Sequence, residues 1–464
     1  MQYVSTRGKS KPLDFEGVLL AGLADDGGLY IPSSLPFYSP EQIAALAPLS
    51  YNDLCYELIR PFIGHSIPED DLRTIIEDAY KTFRHHLITP LTQIGHHEWV
   101  LELFHGPTLA FKDVALQLLG RLLDYVLKKR GEEVVILGAT SGDTGSAAIE
   151  GCQHCTQAKI YILHPYQKVS PVQRRQMTTI TGPNVHNIAI EGTFDDCQAM
   201  VKQLFLNQSF LGDKSLVAIN SINWARIMAQ TVYYFYSALA LGAPFVSMGY
   251  SVPTGNFGDV YAGSIARRMG LPIHQLVVAT NVNDILYRFF EMNDYSRQTL
   301  KHTLTPSMDI QVSSNFERLL FDIHDRNPDA VRHLMDVFAE NGTLRVEPNR
   351  LAEAKAQFDA WTVSESEVLQ TMRDVYHDMG LVLDPHTAVG VASARHCRRD
   401  PVSPMITLAT AHPIKFAEAV KMGSLPVSPL PDFLSDLMER EERYTVLPNS
   451  IDAVKSFIAS SHHR

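Results

Sequence analysis

Regular cysteine pairing is absent from this 464-residue sequence: Cys55, Cys152, Cys155, Cys197 and Cys397 form no ladder of matched spacings. That argues against a disulfide framework and for a reducing compartment. Cys152-Gln-His-Cys155 has no second pair at zinc spacing, so a structural role is expected and no metal site is assigned. Excess basic charge is missing too. Lys and Arg number 40 against 51 Asp and Glu, a formal net charge of -11. With the basic residues scattered, the electrostatic footprint of a nucleic-acid binder is lacking. The opening Met1-Gln-Tyr-Val-Ser-Thr-Arg-Gly-Lys9 has no continuous apolar segment behind its basic residues and does not read as a signal peptide, so a cytoplasmic protein is expected. One run, Ile227 to Gly258, carries no charge and exceeds membrane-spanning length, yet Gln230, Gly242, Pro244, Gly249 and Pro253 break it. A buried helix, a turn and a buried parallel strand are expected there instead of a membrane anchor. Neither G-x-G-x-x-G nor a phosphate loop ending in Gly-Lys-Ser/Thr occurs, which leaves a dinucleotide oxidoreductase without its fingerprint.

What is present is ordinary for a globular protein: 45% hydrophobic and 20% charged residues. The length calls for more than one core. Residues 1–90 read as a separate, mainly helical domain, with helical apolar spacing from Pro40, from Tyr51 and from Glu69. From Glu133 the pattern becomes strand, polar or glycine turn, and helix, repeated. Strands are expected at 134–137, 159–163, 185–190, 216–219, 245–252, 274–279 and 405–409. Such alternation predicts an α/β protein with parallel sheets and helices on both faces. The charged stretch 283–378 reads as peripheral. The domain division that follows is a large domain of 91–115 and 226–464, with a small domain, 116–225, inserted into it.

The segment Leu103-Phe-His-Gly-Pro-Thr-Leu-Ala-Phe-Lys-Asp113 places one lysine beside Leu109, Ala110 and Phe111 where an apolar helix begins. An apolar wall disfavours the ammonium, which is what a nucleophilic lysine requires. Ligands of open parallel sheets bind beyond the carboxyl ends of the strands, where the polar loops fall. Gly255-Asn-Phe-Gly258 offers backbone amides at a helix N-terminus, suited to a phosphate, and Ser141-Gly-Asp-Thr-Gly145 is a second such cradle, suited to a carboxylate. Each loop alone is also what a strand-to-helix turn needs for its own geometry. Asp113 and Asp259 read as helix caps. Two anion cradles and a lone lysine together point to a cofactor that bears one phosphate and an aldehyde.

Tyr3-Val-Ser-Thr-Arg-Gly8, Gly22 to Pro32, His105 to Asp113, Ala139 to Gly145, Lys168-Val-Ser-Pro-Val-Gln173, Asn220-Ser-Ile-Asn-Trp-Ala-Arg226, Thr254 to Asp259 and Ala409 to Pro413 occur in one order along the chain. In these blocks the sequence resembles the threonine synthase family of bacteria and fungi, pyridoxal-phosphate enzymes of fold type II. The resemblance implies conversion of O-phospho-L-homoserine and water to L-threonine and phosphate, in a monomer or homodimer. It implies that Lys112 carries pyridoxal 5'-phosphate as a Schiff base and then shuttles protons. Gly255, Asn256, Phe257 and Gly258 would hold the cofactor phosphate, and Thr410 would sit by the pyridine nitrogen. Ser141, Gly142, Asp143 and Thr144 would receive the substrate carboxylate. Lys168, Ser170, Gln173, Asn220, Ser221, Asn223 and Arg226 would surround the substrate phosphate, where arginine supplies a bidentate fork. The alternatives are a phospho-lyase of the same fold that releases a keto acid and an inactive scaffold that keeps the fold.

Overall fold

The computed structural model describes residues 1–211, 214–217 and 219–462. Two sheets organise them. The larger has six strands in the order Phe358–Thr362, Ile273–Thr280, Met248–Pro253, Met405–Ala409, Glu98–Glu102 and Leu91–Gly95, parallel except for the last. The smaller has five parallel strands in the order Thr445–Pro448, Val185–Glu191, Ala158–Pro165, Val134–Ala139 and Ser215–Val217. Ala218, in the expected strand 216–219, lies outside the described residues.

Side-chain alternation along each strand puts helices on both faces. Val134 and Ile136 join the cluster that holds Leu116 and Leu119 of the helix Lys112–Arg130. Their neighbours Val135 and Leu137 join the opposite cluster, with Leu204 of the helix Phe194–Leu206 and Val454 and Ile458 of the helix Ile451–His462. The uncharged run becomes the helix Trp224–Ala240, buried along nearly its whole length, and the strand Met248–Pro253 at the middle of the larger sheet. No described helix is long and apolar enough to cross a membrane.

Three boundaries differ from those expected. The N-terminal helices have no core of their own: Leu54, Ile59 and Phe62 cluster with Trp224 and Phe235, and the Tyr3 and Phe62 rings lie 6.2 and 5.8 Å from the Trp224 ring. A helix as largely buried as Trp224–Ala240 needs cover on every side, and residues 1–80 provide part of it. The chain end also changes sides. Thr445–Pro448 pairs with Val185–Glu191, so 445–462 belongs with the smaller sheet and not with the 226–464 unit; residues 463 and 464 of that unit lie outside the described residues. A four-residue strand, half exposed, has too little pattern to announce its partner. Lastly, the stretch 283–378 is not wholly peripheral, since it supplies the edge strand Phe358–Thr362 and a loop around Ser307 that reaches the cleft.

Candidate active site

Lys112 opens a 19-residue helix, with its side chain only 9% exposed. The turn before it is tightly determined. Asp113 accepts from the Thr108 amide at 2.8 Å and the Thr108 hydroxyl at 2.7 Å, and a Cβ on Gly106 would sit 2.5 Å from Asp113. Asp113 is therefore a clamp on the preceding turn and not the cap expected from sequence; burial pushes its carboxyl up to about 6. The Phe111 amide donates to the Thr410 carbonyl at 2.8 Å, which fixes the helix start to the loop beyond the strand Met405–Ala409.

A second helix, Asp143–Cys152, begins beside the first. A Cβ on Gly120 would lie 2.1 Å from the Gly151 carbonyl oxygen, and one on Gly151 would lie 2.4 Å from that of Leu116. The absence of side chains lets the two helices run side by side in the same direction, so both N-termini open on the same cleft. Lys112 Nζ is 3.5 Å from Asp143 Oδ2. Asp143 Oδ1 is held more closely, at 2.9 Å from Lys415 Nζ and 2.8 Å from Gln173 Nε2, while Ser307 Oγ stands 3.4 Å from Oδ2. Burial lowers the proton affinity of the Lys112 amine, with the Lys415 and Arg226 charges adding to the effect and Asp143 opposing it. For Asp143 burial pulls upward, but the ammonium groups of Lys415 and Lys112 outweigh it and hold the carboxyl well below the usual carboxylate range.

The Asp143 carboxylate cannot itself receive a substrate carboxylate, because like charges repel. What the loop offers is its backbone. Thr140 Oγ1 accepts from the Gly142 and Gly145 amides at 3.0 and 2.9 Å, which sets the turn and leaves the first-turn amides of Asp143 and Thr144 without helical partners. Gly142 sits at φ 146°, and a Cβ there would be 2.7 Å from Gln173. Ser141 is exposed.

Across the cleft, the helix Gly258–Arg268 follows the loop of Gly255 to Phe257. Asn256 Oδ1 accepts from the Gly258 amide at 2.9 Å, and Phe257, at φ 66°, buries its ring 5.5 to 6.4 Å from those of Phe290, Phe316 and Phe358. Only backbone groups of Phe257 are thus left for a ligand. A Cβ on Gly255 would stand 3.0 Å from the Ser307 carbonyl oxygen, so the loop is pressed against the cleft wall. Asp259 is no cap either: its carboxylate accepts from the Tyr233 and Tyr234 hydroxyls at 2.5 and 3.0 Å, and burial raises it to about 6. Arg226 is buried with Nε and Nη1 unpartnered among the described residues, and burial lowers its guanidinium to about 10.

A pyridoxal-phosphate-dependent enzyme model matches residues 83–346 of this chain. Models described as threonine synthase N terminus and threonine synthase, C-terminal match 2–80 and 387–458. The threonine synthase of Pseudomonas aeruginosa is 59% identical over 100% of this chain and 99% of its own. This chain belongs to the threonine synthase family. The Schizosaccharomyces pombe threonine synthase is 42% identical over 91% of this chain and 89% of its own. The pyridoxal-phosphate-bound threonine synthase structure from Brucella melitensis superposes with a TM-score of 0.98 at 50% identity, covering 100% of both chains. The yeast threonine synthase structure gives 0.94 at 38% identity, covering 100% of this chain and 99% of its own. The family's cofactor is pyridoxal 5'-phosphate, and the residues present fit it: a buried amine at Lys112, and backbone amides at the start of the helix Gly258–Arg268 behind a loop where a Cβ on Gly255 would meet the Ser307 carbonyl oxygen.

Of the other residues expected around the substrate phosphate of this threonine synthase family member, Gln173 joins the cleft through Asp143. The rest have local partners, and Ser170 Oγ donates to Gln173 Oε1 at 2.7 Å. Lys168 is exposed and donates to the Gly192 carbonyl at 3.0 Å, and Ser170 caps the helix Pro171–Thr178. Asn223 caps the helix Trp224–Ala240 and donates to the Leu19 carbonyl at 2.9 Å. Asn220 Oδ1 accepts from the Ile222 amide at 3.2 Å, and Ser221 Oγ faces Ser314 Oγ at 3.1 Å. Asn and Ser before a helix serve its free amides first, which is the reason these polar residues stay local. Thr410 is buried beside Lys112's helix start. Sequence reasoning passed over Lys415, Thr140 and Ser307. Lys415 had a signal, a lysine between Ile414 and Phe416 just past a central strand; Ser307 had none.

Proposed function

We propose that this chain converts O-phospho-L-homoserine and water to L-threonine and phosphate, with Lys112 as the residue that carries the cofactor. The observation that supports it best is the buried Lys112 amine between two helix-start loops, with an acid and a second ammonium within reach. Bound pyridoxal phosphate supplies an electron sink for the bonds around the substrate's α carbon. Lys112 Nζ, made less basic by burial, accepts the proton from Cα once the substrate amine has replaced it. The backbone amides of Asp143 and Thr144 orient the substrate carboxylate, and those of the Gly255 to Gly258 loop hold the cofactor phosphate at a helix N-terminus. Thr410, buried beside the Lys112 helix start, would be the residue beside the pyridine nitrogen. Arg226, whose charge acts on Lys112, receives the substrate phosphate, which satisfies a guanidinium whose burial unpaired costs several kcal/mol. A monomer or homodimer in the cytoplasm completes the reading, supported by five unpaired thiols. Borohydride reduction of the holoenzyme followed by peptide mapping is expected to place the pyridoxyl group on Lys112. Threonine and phosphate are expected from O-phosphohomoserine; 2-oxobutanoate and ammonia in place of threonine, with phosphate still released, would identify a lyase.

A further inference from the structure

The cleft holds two buried lysines where one suffices to carry a cofactor. Lys415 is fully buried, and its ammonium is bound from both sides, at 2.9 Å to Asp143 Oδ1 and 2.7 Å to the Thr108 carbonyl oxygen. Thr108 is itself tied to Asp113, so Lys415 has a rigid support. Among the described residues Lys112 has looser partners, the other oxygen of Asp143 at 3.5 Å and the Phe111 ring centred 4.8 Å from its Nζ. The two amines are therefore not equivalent: one is held by two close oxygen partners and the other only loosely.

We infer that Lys415 is a positioning residue that holds the Asp143 carboxylate as its permanent partner, so that Lys112 can give up its proton without stranding a buried anion. The inference rests on the reading that Lys112 carries the cofactor. If Lys112 were Asp143's sole cation, deprotonating it would leave a carboxylate that is 5% exposed with no counter-charge, and the acid would oppose the loss. With Lys415 present, the ammonium at 2.9 Å and the Gln173 amide at 2.8 Å keep Asp143 satisfied whatever Lys112 does. The charged groups facing Lys112 are Asp143, Lys415 and Arg226, which leaves an excess of positive charge that favours a neutral amine. Those facing Lys415 are Asp143, Lys112, Asp113 and His412.

The test titrates the cofactor-bound Lys112 nitrogen through the visible absorbance of the holoenzyme, in the natural protein, Lys415→Met, Asp143→Asn and the double variant. Borohydride mapping comes first in each. Lys415→Met is expected to titrate about one pH unit higher and Asp143→Asn about one unit lower, because an opposing charge and a supporting charge are removed in turn. The double variant is expected near the natural midpoint. If Lys415→Met does not accumulate as folded protein, Lys415→Gln, which keeps a donor but no charge, is titrated in its place with the same expected rise. A midpoint that stays put or rises in Asp143→Asn, or that fails to rise in a folded Lys415→Met, overturns the role of Lys415. Mapping that finds the pyridoxyl group away from Lys112 overturns the reading beneath it instead.

Discussion

The two glycine loops at the cleft look alike in sequence, Ser-Gly-Asp-Thr-Gly and Thr-Gly-Asn-Phe-Gly-Asp, and behave differently. Each ends a parallel strand, opens a helix and spends a side-chain oxygen on its own amides, Thr140 on two and Asn256 on one. They part over the acid. The smaller sheet's loop turns Asp143 into the cleft against Lys112 and Lys415, where it stays ionised. The larger sheet's loop turns Asp259 away, behind its helix and under the hydroxyls of Tyr233 and Tyr234, where burial favours the neutral form. An anion cradle cannot tolerate a free carboxylate at its mouth, and the two loops meet that constraint differently: one pairs the acid and the other removes it.

Four changes would break or sharpen the contrast. The largest effect is expected from Gly142→Val, which forces a side chain at φ 146° into Gln173. Strain and overpacking together should cut kcat/KM for O-phosphohomoserine by about a hundredfold while cofactor absorbance is kept. Loss of the cofactor instead would mean that both loops serve one ligand. Gly258→Val should do the converse, since its Cβ would lie 3.0 Å from Asn256 Oδ1 and 3.2 Å from Asn315 Nδ2. An overpacking cost of roughly 1–3 kcal/mol corresponds to about a ten- to hundredfold weaker cofactor affinity, measured by equilibrium dialysis. Full affinity in that variant would remove the loop from the cofactor site.

Arg226→Ala tests the buried cation whose charge acts on Lys112. A charge-assisted contact is worth roughly 1.5–3 kcal/mol, so kcat/KM should fall by about one to two powers of ten with cofactor loading unchanged. An unaltered kcat/KM in loaded enzyme would exclude Arg226 from the substrate phosphate. The smallest effect concerns Asp259 and appears only with pH. Its folded value, about 6 against an ordinary 3.8, means the folded state binds more protons between those values. Stability contributed by this group is therefore lost as pH rises through that window. Relative to Asp259→Asn, the natural protein should lose about 2 kcal/mol between pH 4 and pH 7 in urea unfolding. Parallel stability curves for the two proteins would show that Asp259 titrates normally.

Much of the architecture was legible in the order of the residues, because a strand's alternation and a glycine turn are written within a few neighbours. The alternating strands from Val134 to Thr280, the buried helix and strand of the uncharged run, and Lys112 at a helix start between two glycine loops all follow from such local patterns. What tertiary structure alone decided are pairings between distant segments. Asp143 meets Lys415 because a strand end of one sheet faces a strand end of the other, and no local pattern carries that register. Thr445–Pro448 joins the smaller sheet through backbone hydrogen bonds that do not depend on which side chains it bears. Lys168 and Arg226 are both basic residues in polar blocks, yet one lies on the surface and the other is sealed inside. Burial sets the proton affinity and the partner of a charged group, and burial is a property of the whole fold.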